Sequence, residues 1–331
     1  MAGYRVELAV PGRGVLEQQH FARLAESRGL TGGWLSEVNG GDAVTQAAAV
    51  GMATTTARVG TAIVPIQTRD PLLMAMTAHS LSELTDGRFV LGLGTSTKVI
   101  VEDWHGRPWG KPVSGMGEYV GLVRKLMAGE RVSAEAPFPM KRASLAVRSP
   151  RSAPIHLAAL NDGMLRLAGE IADGAILNFV STRQVKRSVE IMREARKAAG
   201  IDAPFEVSVF FRCTVTDNRE EALPRYQQEL LTYLLAPVYQ AFFTQDGWGE
   251  LTETTNKRWS GGEREAALNG VPMDFIAERA LVGTAESIHA QLDAYGEAGM
   301  DNAIILPVPI PGTDYAESCT GIIEALAPAR V

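Results

Sequence analysis

Short apolar runs, each closed by glycine, proline or a small polar residue, alternate along this chain with longer stretches whose apolar positions recur every three to four residues. The first pattern predicts strands buried on both faces, the second helices packed against them. Strands are expected at residues 4–11, 34–37, 59–66, 89–96, 154–160, 175–180, 205–216 and 302–307. Helices are expected at 15–28, 43–56, from Pro71 to Leu84, at 115–128, from Asn161 or Asp162, at 181–199, as one long helix at 219–243, and from Thr284 to Glu297. Asp42 and Asp70 stand as N-caps, and Pro71 falls at the first helical position, where its missing N–H costs nothing. Residues 97–114 are rich in loop formers, the stretch to Ala153 is irregular with room for one hairpin, and 247–271 reads as an irregular insertion.

One joint recurs. Glu83-Leu84-Thr85-Asp86-Gly87 leads into Phe89, Glu170-Ile171-Ala172-Asp173-Gly174 into Ile176, and Ala298-Gly299-Met300-Asp301 into Ala303, with Gly29 similarly placed before Trp34. Glycine after a helix end is the usual left-handed cap, and its repetition speaks for repeated βα units. Eight strands alternating with helices imply parallel pairing. No Gly-x-Gly-x-x-Gly stands at a strand–helix turn, which argues against an ordinary dinucleotide fold. The expected fold is therefore α/β, a (β/α)8 TIM barrel in one domain over residues 1–331, with insertions at the C-terminal mouth at about 97–153 and 247–271. An open doubly wound sheet is the second choice.

The 331 residues are 46% apolar, enough for a large core, and the net charge of −6 comes from mixed acidic and basic residues. Without a basic stripe, nucleic acid is not an expected partner. Cys213 and Cys319 lie far apart with no metal-type spacing, which suits a reducing cytoplasm and no bound metal. The chain begins with a strand pattern rather than a long apolar segment, so neither a signal peptide nor a membrane span is expected.

Seven segments carry a resemblance. Gly60-Thr61-Ala62-Ile63-Val64-Pro65, Asp70-Pro71, Leu84-Thr85-Asp86-Gly87-Arg88-Phe89 and Gly92-Leu93-Gly94 resemble the bacterial-luciferase-like monooxygenase superfamily. Ala158-Ala159, the run from Leu165 to Glu170 and the run from Ala172 to Asn178 resemble its coenzyme F420-dependent branch. The resemblance implies a cofactor at the C-terminal ends of the barrel strands, and a non-prolyl cis peptide that maps to Ala62–Ile63. It implies coenzyme F420, with FMN as the alternative, a small-molecule substrate and a homodimer, for which the Ala-rich helix at 43–56 is a candidate contact.

Candidate cofactor contacts follow from the strand ends: Ser36, Thr61, Ala62, Ile63, Gly94, Thr95, Ser96, Ala158, Ala159, Leu160, Asn161, Gly163 and Asn178. Two glycines two apart let a planar ligand approach the backbone, or make room for a large neighbour. Leu160-Asn161-Asp162-Gly163 opens a helix whose free amides suit a phosphate, although Asp162 is an awkward neighbour and Asn161 also reads as a plain N-cap. Glu37, Thr97 and His105 are the candidate catalytic residues. Glu37 ends a strand at the mouth and can orient a cofactor or relay a proton, or it is a solvated carboxylate. By the resemblance, Val38 stands where the sugar-phosphate dehydrogenase branch carries a histidine and Thr97 lies near that branch's catalytic glutamate, which argues against sugar-phosphate oxidation. Trp104, Trp109 and Arg279 are candidate substrate contacts; His105 and the tryptophans equally read as loop packing, and Arg279 as the partner of a nearby carboxylate. His20, His79 and His289 fall within helices and His156 lies early in its strand, so these read as structural.

Hydride transfer between coenzyme F420 and a small organic substrate, reducing an activated C=C, C=N or C=O, is the expected activity. An FMN-dependent monooxygenase is the alternative, and a non-catalytic cofactor-binding barrel the reading from another class.

Overall fold

A computed structural model describes residues 3–147, 151–310 and 312–327. Eight parallel strands close into a barrel: β1 (Arg5–Ala9), β2 (Gly32–Leu35), β3 (Arg58–Thr61), β4 (Phe89–Gly94), β5 (Ile155–Ala158), β6 (Gly174–Asn178), β7 (Glu206–Val215) and β8 (Asn302–Pro307). Each pairs with the next, and β8 returns to β1 in the register Arg5 to Asn302 through Leu8 to Ile305. The helices outside are α1 (Val15–Ser27), α2 (Ala43–Ala53), α3 (Pro71–Leu84), α4 (Pro112–Met127), α5 (Asp162–Ile171), α6 (Thr182–Ala198), α7 (Ala285–Glu297) and α8 (Tyr315–Ala325). Asp42 and Asp70 cap α2 and α3 as the sequence predicts, accepting from the amides of Thr45 and Leu73. Such a cap contributes about 1 kcal/mol.

Strand alternation sorts the side chains into two cores. Leu8, Val59, Leu91, Leu157, Leu177 and Phe211 point outward into the large core under the helices. Ala9, Trp34, Val90, Ile176, Phe210 and Ile304 fill the barrel, with Ala62, Ile63 and Leu306 packed on them toward the C-terminal mouth. The other end is plugged by charge. Glu7, fully buried, accepts from Trp34 Nε1 at 2.6 Å, from Arg58 at 2.9 Å and from Asn302 at 2.8 Å. Arg58 also holds Glu206 at 2.8 Å. Burial by itself would raise the Glu206 carboxyl, but the hydrogen bonds and charge of Arg58 prevail and hold it at about 2.

Three expectations are corrected. The strand at 59–66 is interrupted: β3 stops at Thr61, the Ala62–Ile63 peptide is cis, and Val64–Pro65 then pairs with Leu93–Gly94. The single long helix at 219–243 is instead Arg219–Ala222, a 3-10 turn Leu223–Tyr226, Gln227–Leu234 and Pro237–Phe243, because Pro224 and Pro237 open new segments. The region 247–271, expected irregular, contains helices Gly249–Ser260 and Arg264–Asn269. The hairpin expected before Ala153 is present as Val132–Ala134 against Met140–Ala143, and Leu281–Gly283 adds a strand outside the barrel on β7. Among the described residues, no helix is long and apolar enough to cross a membrane, and no cluster of His, Cys, Asp or Glu suits a metal.

Candidate active site

The C-terminal ends of β2 to β5 form a platform of small side chains. The Ser36 hydroxyl donates to the Ala62 carbonyl at 2.8 Å, Ala62 N to the Leu35 carbonyl at 2.7 Å, and Glu37 N to the Ile63 carbonyl at 3.2 Å. These bonds fasten the bend after β3 to the end of β2. Thr61, fully buried, uses its hydroxyl on both the N–H and the carbonyl of Gly92, at 2.9 and 2.8 Å. It is therefore a stitch between strands beneath the platform, with no hydroxyl left for a ligand. A Cβ on Gly92 would overlap the Thr61 carbonyl oxygen, and one on Gly94 would sit 2.6 Å from Ile63 Cδ1 and 3.4 Å from Ala158 Cβ. Gly94 thus makes room for Ile63, and Ile63, Ala62 and Ala158 are the apolar side chains around it.

Glu37 lies at the rim, fully engaged. Arg69 clasps it at 2.7 and 2.9 Å, Thr68 donates at 3.2 Å, and the Ala43 amide at the start of α2 donates at 3.2 Å. Arg69 also reaches Asp42. Burial works against the charge of Arg69, but hydrogen bonding and charge from Glu37, with Asp42 beside it, raise its pKa. Glu37 consequently holds the rim of the mouth together, a different task from that of a free proton relay.

The opposite wall comes from β6 to β8. Alternation carries Phe210 and then Arg212 inward on β7, and Ile176 and then Asn178 on β6. The Arg212 guanidinium stacks 3.9 Å over Phe179 and 5.1 Å from Phe210. Its Nε donates to Glu229 at 2.8 Å and its Nη1 to Asn178 Oδ1, while Asn178 Nδ2 donates to the Tyr239 hydroxyl at 3.0 Å. Phe179 itself has a φ of +53°, a left-handed backbone that costs a bulky residue about 1–2 kcal/mol. Desolvation raises the pKa of Tyr239, so its hydroxyl stays protonated. Arg212, Glu229 and Tyr239 are missing from the expected site. The available signal was one arginine inside the otherwise apolar strand Val207-Ser208-Val209-Phe210-Phe211-Arg212-Cys213.

At the end of β5, no side chain caps α5. Asn161 donates its amide to the Val238 carbonyl at 3.2 Å, and Asp162 is drawn to Arg187 at 2.7 Å and Arg166 at 3.7 Å. The first-turn amides beside Gly163 are therefore not satisfied by Asn161, and Asp162 is offset by two cations. Ala159 is buried in the outer core and Leu160 packs on it. A cavity of about 290 Å³ opens beside α6 between Arg183, Arg187 and Asp246. Its arginines already pair with Glu278 and Asp162, so it is not assigned to the ligand.

The loop after β4 bends over this mouth. The Trp109 indole N–H donates to the Thr95 carbonyl at 2.9 Å, and Ser96 has a φ of +54°. Thr97 accepts the Ile100 amide at 3.4 Å, capping a π-helical turn at Val99–Trp104. Trp104 is 54% exposed and His105 is exposed, so these two project toward solvent. Arg279 is enclosed: it pairs with Asp246 and with Glu278 at 3.1 Å, and lies 4.0 Å over Phe275. It takes the role of a carboxylate partner, and its side chain, with no exposed surface, is closed to a substrate. His156 is buried beside Trp34 near the charged end, where desolvation lowers it to about 4 and keeps it neutral.

The sequence profile of the luciferase-like monooxygenase family matches residues 6–302. A Mycobacterium tuberculosis protein with the provisional name coenzyme F420-dependent oxidoreductase is 26% identical, over 92% of this chain and 95% of its own. The solved structure of a coenzyme F420-dependent tetrahydromethanopterin reductase from Methanopyrus kandleri superposes with a TM-score of 0.77 at 19% identity, covering 98% of this chain and 96% of that one. A type II Baeyer–Villiger monooxygenase of Pseudomonas putida in complex with FMN superposes with a TM-score of 0.67 at 20% identity, covering 99% and 98%.

Proposed function

The chain belongs to the luciferase-like monooxygenase family, and from that premise we propose that it is a coenzyme F420-dependent oxidoreductase acting on a small organic molecule. The observation that carries this reading is the platform of Ser36, Ala62, Ile63, Gly94 and Ala158 at the C-terminal mouth, where barrel active sites sit. A planar tricyclic ring fits a surface on which Gly94 has no side chain and Ile63 forms the backing. The uncapped first turn of α5, where Arg187 and Arg166 offset the charge of Asp162, suits the phosphate of such a cofactor through its backbone amides. The name of the M. tuberculosis relative supports the same cofactor.

Coenzyme F420, when bound, supplies hydride chemistry. The protein supplies position and desolvation. Ala62, Ile63 and Leu306 keep the floor of the mouth apolar, and the aromatic group Phe179, Tyr233 and Tyr239 walls one side. Glu37 and Arg69 brace the rim from α2 and α3. With Glu37 so engaged and Val38 in place of a histidine, the site suits reduction of an activated C=C, C=N or C=O better than sugar oxidation. The FMN-bound neighbour with the same fold supports the second reading, an FMN-dependent monooxygenase.

Side-by-side fluorescence titration of the purified protein with coenzyme F420 and FMN tests the proposal. Tight F420 binding with weak FMN binding, and turnover independent of dioxygen, are expected. A preference for FMN with oxygen-dependent turnover would move the assignment to the monooxygenase, and binding of neither would overturn both.

A further inference from the structure

The geometry points to Arg212 as the receiver of a substrate oxygen, so that this site takes planar acceptors in which the reducible carbon is a carbonyl carbon or is conjugated to a carbonyl or carboxylate. This rests on the hydride-transfer reading above and adds a substrate class to it.

The inward positions nearest the mouth are Ser36, Ala62, Gly94, Ala158, Asn178, Arg212 and Leu306, and Arg212 is the one that carries charge. The buried Arg196 and Arg279, and the partly exposed Arg58, are consumed in holding the fold. Arg58 pairs with Glu7 and Glu206, Arg196 donates to the carbonyls of Gly169, Ala172 and Ala203, and Arg279 pairs with Asp246 and Glu278. Arg212 makes no such backbone stitch. Its side chain is 9% exposed and meets Glu229, itself 38% exposed, Asn178, whose orientation Tyr239 fixes, and the Tyr233 hydroxyl; a guanidinium has five N–H donors, more than these three partners take. A cation held this way over Phe179 and Phe210 is a poor device for stability, since apolar side chains of similar size would serve as well. It is a good device for recognition, because a guanidinium aimed by fixed partners keeps a donor edge for a planar oxygen ligand.

The platform of Ala62, Ile63 and Gly94 lies across the mouth from this cation. An acceptor between them meets an apolar floor on one side and a charge-assisted donor on the other. The step balances as a two-electron reduction. Bound reduced coenzyme F420 would supply a hydride to the substrate carbon, giving up two electrons and, to water, its ring N–H proton; the substrate π pair would move onto the oxygen facing Arg212, and that oxygen or its conjugated carbon would take a proton from water. Donors of this kind, placed where negative charge develops, affect rates by about 10²–10³.

Benzoate, a planar oxyanion, is the probe. Its binding is measured by calorimetry on the full chain with and without coenzyme F420, in the wild type, Arg212→Met, Arg212→Lys and Glu229→Gln. Wild-type binding, at least tenfold weakening in Arg212→Met, partial recovery in Arg212→Lys, and tightening in Glu229→Gln are expected. Guanidinium chloride at low concentration restores benzoate binding to Arg212→Met. A merely structural arginine would shift the melting temperature of its variants and leave the Glu229→Gln affinity unchanged. No benzoate binding by the wild type, or equal affinity in wild type and Arg212→Met, would overturn the proposal. The F420 titration of the same variants separates the two readings. Unaltered F420 affinity with unaltered benzoate affinity in Arg212→Met removes Arg212 and leaves the cofactor assignment. A wild type that binds benzoate through Arg212 but not F420 removes the cofactor assignment and keeps the oxygen site.

Discussion

Replacing Asp246 by Asn tests whether Arg279 serves the fold or the ligand. Arg279 has a side chain with no exposed surface, and that of Asp246 is 2% exposed. Besides Asp246, Arg279 donates to the Phe275 carbonyl at 2.9 Å and to Glu278 at 3.1 Å, and Glu278 is 30% exposed and so partly screened. Asn at 246 keeps the shape and can still accept from Ser181, which donates to the present carboxylate at 2.9 Å. What is lost is the one enclosed counter-charge. At close range and an effective dielectric near 20, a charge pair is worth about 4 kcal/mol, and breaking buried pairs costs about 3–5 kcal/mol because the survivor stays uncompensated. That is a large share of the roughly 5–15 kcal/mol by which proteins are stable. Equilibrium unfolding in urea, followed by tryptophan fluorescence, is expected to show a lower midpoint at an unchanged slope. F420 affinity measured below the transition is expected to stay unchanged. The double variant Asp246→Leu/Arg279→Met removes both charges and is expected to regain most of the loss. A loss under 1 kcal/mol in Asp246→Asn, or a drop in F420 affinity at unchanged stability, would refute the reasoning and return Arg279 to the ligand.

Burial holds His156 down to about 4 from 6.5, so on acidification the unfolded chain takes up this proton first. His156 therefore contributes stability that is fully present above pH 6.5 and is lost as pH falls toward 4, at about 1.4 kcal/mol per pH unit; the urea midpoint of the wild type is expected to fall relative to that of His156→Phe from pH 7.5 through 6 to 5, and parallel curves would contradict this. Gly94→Ala places a Cβ 2.6 Å from Ile63 Cδ1, the movable tip of a side chain. The fold is expected to survive by circular dichroism while F420 affinity falls about tenfold, a loss of about 1.4 kcal/mol. Undiminished affinity would remove Gly94 from the cofactor platform. Exposed Met52 on α2 and Leu73 and Met76 on α3 offer an apolar face for a second copy of the chain. Light scattering is expected to give a dimer for the wild type and a monomer for Met52→Glu/Met76→Glu, and a monomeric wild type would exclude this surface.

The barrel was legible because each strand is a short apolar run ended by punctuation, and such runs stay strands in any context that buries both faces. Strand ends were less so. Ser36, Thr95, Ser96, Ala159 and Leu160 read as strand by composition, but they lie beyond the last paired residues and belong to the mouth loops. Residues 249–260 looked irregular because their helix is polar along most of its length and buries Thr252 and Thr255 rather than aliphatic side chains. The candidate site was read from strand ends, and Ala62, Ile63, Gly94 and Ala158 do lie at the C-terminal mouth. Pairings across the fold left no local trace. Nothing near Glu37 announces that Arg69 will take its carboxylate, and nothing near Arg279 announces Asp246. Arg212 was missed for another reason: its signal lies in the facing of a strand residue, two positions beyond Phe210 on the inner side, rather than in a motif.

The two ends of the barrel separate stability from recognition on one physical criterion, the degree to which polar groups are satisfied. At the closed end Glu7 receives donors from Thr31, Trp34, Arg58 and Asn302, and Arg58 spans Glu7 and Glu206, so every charge there meets protein charge. The polar atoms without a partner there, Asn302 Oδ1 and His156 Nδ1, belong to buried neutral groups. At the mouth the platform is apolar, α5 has no side-chain cap, and Arg212 is held by Asn178 from a strand and by Glu229 and Tyr233 from an inserted helix. Glu7→Gln is therefore expected to destabilise the fold, leaving Arg58 with one buried partner fewer, while benzoate affinity in the folded protein stays the same. Arg212→Met is expected to do the reverse. If both variants lowered stability and affinity together, the barrel would act as one coupled unit, and satisfaction of charge would not mark where this protein meets its substrate.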